Sequence, residues 1–139
     1  MTGQDVQSWL EGFIAAHGGV AGTVHTLSPE DPDLLLIGAS VNIPPKVVEI
    51  TGRIPRGKGM AGLAFERDAP VQTCNLQTDG SGDVRPGAKA VQAQAAVALP
   101  VRGADGKVAA VVGIAFGDER ELTDAQLSEL TDAADACPR

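Results

Sequence analysis

Between Lys107 and Gly117 the chain reads KVAAVVGIAFG, with no charged residue after the lysine. Drawn as a strand, Val108, Ala110, Val112, Ile114 and Phe116 share one face, and Ala109, Val111, Gly113 and Ala115 share the other. An antiparallel strand with one wet face alternates apolar with polar residues, and this one does not. Both of its faces must therefore be covered, which asks for a sheet with helices on each side. Just upstream, Val97, Leu99 and Val101 alternate in AAVALPV, and Ala104-Asp105-Gly106 supplies a tight turn. The two segments read as an antiparallel hairpin.

The covering helices are visible at the two ends of the chain. Val6, Trp9, Leu10, Phe13 and Ile14 fall on one helical stripe, with Gln4, Gln7, Ser8 and Glu11 off it. His17-Gly18-Gly19 ends that helix. The stripe needs a cover, either the sheet or a second copy of the same helix. At the other end Thr123 and Gln126 form a capping box, with Leu122 and Leu127 placed as a hydrophobic staple. Leu127, Leu130, Ala134 and Cys137 continue that stripe, while the acidic residues around it face water.

Residues 20–28 and 34–41 read as a second hairpin, joined by the proline-bearing turn Pro29–Asp33. Ile43-Pro44-Pro45 opens a short helix over Lys46–Thr51. Then comes Gly57-Lys58-Gly59-Met60-Ala61-Gly62, which matches the dinucleotide fingerprint G-x-G-x-x-G. That motif needs a buried strand running into its first glycine, and Arg53-Ile54-Pro55-Arg56 is not one. Nor does Lys58 occupy the P-loop position after the last glycine. The segment is better read as a turn into a short helix, Met60–Arg67, with Met60, Leu63 and Ala64 inward. Asp68-Ala69-Pro70 ends it before a short strand, Val71–Cys74, and residues 75–94 form a long loop of the kind that covers a site or moves.

Composition removes several functions. The formal charge of -7 and the poverty in aromatics, with no Tyr, argue against a nucleic-acid surface. No apolar run approaches a membrane span and no leader is visible, so a cytoplasmic protein without a membrane partner is expected. Cys74 and Cys137, far apart and outside any C-x-x-C, read as free thiols. With His17 and His25 as the remaining soft ligands, no metal site is expected. His25 reads as a partly exposed polar position on a strand.

In order, the elements are helix, hairpin, short helices, glycine turn, hairpin, helix. That order resembles a GAF domain, and three strings carry the likeness. Gly57–Ala64 followed by Ala69-Pro70-Val71 is similar to the family's glycine turn, helix and "gxPv" segment. Ala98-Leu99-Pro100-Val101 is similar to its "laVPl" strand, and Val112–Phe116 with Leu122-Thr123-Asp124 to its "GvL.l … fT" ending. The resemblance covers nearly the whole chain and implies one GAF-like domain over residues 1–139. It implies an α+β fold, a central antiparallel sheet with helices on both faces. It also implies a pocket between one sheet face and the helices after the first hairpin, and a sensory or regulatory role, often dimeric.

The resemblance also sets the site expectations. Arg53, Arg56, Lys58, Met60, Cys74 and Arg85 are the candidate ligand-binding residues, and Trp9, Phe13, Leu127 and Leu130 the candidate dimer interface. The basic group Lys46, Arg53, Arg56 and Lys58 is either an anion site at the pocket mouth, aided by the amides of the glycine turn, or a solvated patch. The enzyme branch of the family, free methionine-R-sulfoxide reductase, uses several cysteines around the pocket. Here Lys58, Met60 and Ala61 occupy the glycine turn and no Cys lies in Ala88–Ala96, so only Cys74 is placed for thiol chemistry. Cyclic nucleotides, bilins and haem lack their sequence signatures, and no cofactor is expected. A non-catalytic sensor of a small polar or anionic metabolite is the primary expectation, signalling through a partner or a dimer. A ligand-free interaction module is the alternative, and a thiol redox enzyme using Cys74 is a lesser one.

Overall fold

The computed structural model of the chain describes residues 3–73, 94–118 and 120–138. Its elements are α1 (Gly3–Ala16), β1 (Ala21–Leu27), β2 (Leu34–Val41), α2 (Pro45–Thr51), β3 (Arg53–Pro55), α3 (Gly59–Arg67), β4 (Val71–Thr73), β5 (Ala95–Arg102), β6 (Val108–Phe116) and α4 (Asp124–Ala134). The strands form one six-stranded sheet in the order β3-β2-β1-β6-β5-β4, every neighbouring pair antiparallel.

The two-sided apolar segment is β6, held between β1 and β5. Its Ala110, Val112, Ile114 and Phe116 join Leu10 and Phe13 of α1 and Leu130 and Ala134 of α4 in the main core. On the opposite face Val111 packs with Ala64 and Phe65 of α3, and Ala115 with Val47 of α2. The fold is therefore α+β, with helices on both faces of the sheet. Leu10, Val24, Leu99 and Val112 are fully buried. Each such side chain contributes about 1.5–3 kcal/mol relative to an exposed one. The stripe of α1 is covered by the sheet, not by a second copy of the helix.

Two glutamines fasten the terminal helices to the sheet. Gln7 Nε2 donates to Ser40 O at 2.8 Å, and its Oε1 accepts from Ser40 N at 3.3 Å. A side-chain amide carries the donor and acceptor of a peptide group, so Gln7 acts as a strand partner for β2. It is needed there because β3 pairs with β2 only over Leu34–Leu36. Gln72 of β4 does the same for the linker before α4, donating to Leu122 O at 3.1 Å and accepting from Leu122 N at 2.9 Å. The expected capping box follows at once. Thr123 Oγ1 accepts from Gln126 N at 3.2 Å, and Gln126 Oε1 accepts from Thr123 N at 2.8 Å.

Register shifts depart from simple alternation. Val24 faces Ala39 but His25 faces Ile37, so Gly38 is an extra residue in β2. Leu35 and Ala39, four apart, consequently enter opposite cores. A second shift pairs Arg102 with Val108 directly after Val101 with Ala110. Val108 therefore packs with Val111 and not with Ala110, which corrects the face read from periodicity. The segment before the glycine turn, Arg53–Pro55, is a strand with only Ile54 buried. It is a short antiparallel edge, not the buried parallel strand that a dinucleotide fold requires.

Candidate functional site

On the α2–α3 face of the sheet the side chains are small or polar where β1, β5 and β6 run together. Thr23, His25, Ala96, Ala98, Gly113 and Ala115 make the floor of a cavity there. α3 packs its Ala64 and Phe65 over Val71, Val108 and Val111, further along the sheet. α2 places Val47 over Ala21 and Ala115. Between them nothing large descends onto Gly113, and a cavity of about 140 Å³ remains. Its roof is Ile43, Val47, Ile54 and Met60, with Lys58 and Gly59 at the start of α3. The lining is thus mostly apolar. Among the described residues Lys58 is the one Lys, Arg, Asp or Glu in that lining.

The glycine motif shapes this roof. Gly57 and Gly59 have φ of 82° and 67°, values that disfavour residues with a Cβ, and they reverse the chain from β3 into α3. Two amides of the turn are spent internally, Gly57 N to Gly62 O at 2.9 Å and Lys58 N to Pro55 O at 3.1 Å. They are not held ready for a pyrophosphate. α3 begins at Gly59 with no side-chain cap on its first turn, and that end adjoins the cavity.

The candidate ligand-binding residues separate. Lys58 and Met60 line the cavity. Arg53 lies exposed on edge strand β3, away from the lining. Arg56 turns outward, with Nε on Asp33 Oδ1 at 2.8 Å and Nη2 on Pro32 O at 3.2 Å, while its guanidinium sits 4.0 Å above the Phe65 ring. A cation held by an aspartate and a ring on the surface is not offered to a pocket ligand. Cys74 and Arg85 lie outside the described residues.

His25 is a correction. Its residue is only 2% exposed, because it shares a strand face with Ala21 and Thr23 and that face is roofed. Among the described residues no hydrogen-bond partner reaches its Nδ1, although the residue makes a further interaction. Neither His25 nor Thr23 was a site candidate from the sequence. The signal available was their period-2 relation on a strand whose alternate residues, Gly22 and Val24, face the other core. No group of three or more His, Cys, Asp or Glu among the described residues could hold a metal ion.

A family model for the GAF domain matches residues 6–137. The chain belongs to the GAF domain family. No curated protein matches it in sequence. Among solved structures, this GAF domain is similar to a type II free methionine-R-sulfoxide reductase from Thermoplasma acidophilum, at TM-score 0.69 and 14% identity over 96% of this chain and 89% of that one. It is similar to the GAF domain of an Acinetobacter phosphoenolpyruvate-protein phosphotransferase, at TM-score 0.69 and 18% identity over 100% and 87%. It also resembles the second GAF domain of DevS from Mycobacterium smegmatis, at TM-score 0.68 and 23% identity over 96% and 88%. At these identities the likeness is one of fold.

Two further placements bear on what this GAF domain can do. Cys137 is buried in the α1–α4 core, on the opposite side of the sheet from the cavity. The candidate dimer residues are largely used within the chain. Phe13 and Leu130 are each 5% exposed, and Trp9 and Leu127 are partly buried against the same core. Trp9 stacks on Phe13 with centroids 4.9 Å apart. No helix among the described residues is long and apolar enough to cross a membrane.

Proposed function

We propose that this GAF domain is a non-catalytic sensory or regulatory module that binds a small ligand in the cavity over Gly113. Its output passes to a protein partner or through self-association. The observation that carries the reading is the cavity itself. Two short helices roof a floor of Ala, Gly, Thr and His25, with a mostly apolar wall and no metal-ligand cluster among the described residues. Cys137 is separated from it by the thickness of the sheet, which weakens any mechanism needing two thiols at this site.

The test is a metabolite screen by thermal shift, with native mass spectrometry of the protein as isolated. A ligand present at a hundredfold over its Kd stabilises the folded state by about 2.7 kcal/mol, a readily measured shift. A compound that raises Tm and also alters the sedimentation coefficient or partner binding supports a sensor. If no compound shifts Tm while the chain forms a defined dimer or complex, the ligand-free interaction module is the correct reading. Turnover of a methionine sulfoxide that Cys74→Ser abolishes would establish the thiol enzyme instead.

A further inference from the structure

If the cavity is the ligand site, its size and wall decide what kind of molecule enters. We propose that it takes a compact monocarboxylate with an apolar body, a small aromatic or branched-chain acid, whose carboxylate lies at the Lys58 end. This rests on the ligand-binding reading above and narrows it.

The volume, about 140 Å³, is close to that of an engineered lysozyme cavity of about 150 Å³ that admits benzene. A nucleotide or tetrapyrrole is far larger than such a space. The wall decides the next point. Ile43, Val47, Ile54 and Met60 face Ala96 and Ala98 across the space, and the polar side chains of the lining are Thr23 and His25 on the floor and Lys58 at one end. A polyol or phosphate ester carries more polar groups than those three side chains can pair, and the excess would lie against methyl groups. Each unpaired polar group costs about 1–3 kcal/mol. An apolar body avoids that loss and gains from leaving water. The charge decides the third. The chain carries -7 overall, so its surface repels anions, yet the cavity wall holds Lys58 and, among the described residues, no acidic side chain. One negative group can be held at that end, and a second would have no further Lys or Arg in the lining to meet it. This narrows the expected polar or anionic metabolite to one with an anionic head on an apolar body.

The full chain is titrated with benzoate and 3-methylbutanoate, with neutral benzyl alcohol, and with succinate and inorganic phosphate. Methyl-detected NMR and thermal shift are the readouts. Benzoate or 3-methylbutanoate is expected to perturb the methyls of Ile43, Val47, Ile54 and Met60 and to raise Tm. Ala96→Leu, which extends a half-buried floor residue into the space, is expected to weaken both acids by about tenfold or more, with chemical-shift dispersion confirming that it folds. Lys58→Met, an exposed change, is expected to weaken benzoate by about tenfold and benzyl alcohol by less than about twofold. Perturbation of the cavity methyls by succinate or phosphate in preference to the apolar acids overturns the ligand class but leaves the sensor reading intact. Equal weakening of benzoate and benzyl alcohol by Lys58→Met overturns the role of the charge. Absence of any response to the two acids overturns the proposal. If the metabolite screen is also blank, the ligand-binding reading falls with it.

Discussion

Gly62, the last glycine of the G-x-G-x-x-G match, sits inside helix α3, and Gly12 sits inside helix α1. Helix propensity alone says that Ala at either position stabilises, by about 1 kcal/mol. The surroundings separate them. A Cβ at Gly12 meets nothing within 4 Å, whereas one at Gly62 would lie 2.6 Å from Pro55 O and 3.3 Å from Gly57 N. A carbon normally approaches a carbonyl oxygen no closer than about 3.3 Å, so α3 or the turn must move by about 0.7 Å. Overpacking of this kind costs about 1–3 kcal/mol. Pro55 O also accepts from Lys58 N, so displacing it weakens a bond that contributes about 1 kcal/mol. The clash outweighs the propensity. Gly62→Ala is expected to lose about 2 kcal/mol, a Tm about 6–10 °C lower in a domain of this length. Gly12→Ala is expected to raise Tm by about 2–4 °C. Calorimetry and urea unfolding of the two variants side by side measure both signs. If Gly62→Ala stabilises as Gly12→Ala does, the close approach of α3 to the turn is wrong, and with it the placement of the cavity roof.

Other perturbations test the sheet-to-helix fastenings. Thr123→Ala removes the α4 capping hydroxyl and is expected to cost about 1 kcal/mol in urea unfolding. An unchanged midpoint would show that the capping box contributes nothing. Gln72→Leu removes both side-chain bonds to Leu122 and is expected to cost about 1–2 kcal/mol. It should also speed hydrogen exchange at the Leu122 amide, and unchanged protection there would refute the clamp.

Much of the architecture was legible before any coordinates. A strand without a wet face demands cover on both sides, and β6 has it. The capping box and the α1 stripe were equally plain, because each depends on residues within a turn or two of one another. The site was only half legible. Lys58 and Met60 were found through the glycine turn, but Thr23 and His25 were missed. Arg56 looked available because nothing in the letters reveals that Asp33, in a turn before β2, comes to meet it.

What the sequence determined by itself is the layering: periods of two and of three to four residues are local, and burial of the apolar side they create is obligatory. The tertiary structure alone decided where the hollow lies and what it is made of. A cavity is an absence shared by distant segments. Ala96, Gly113 and Ala115 become its floor only when β5 and β6 pair in one register, and Ile43, Val47 and Met60 its roof only when two short helices settle at separate points on that face. The bulge at Gly38 acts likewise, sending Leu35 and Ala39 to opposite cores through a pairing between strands.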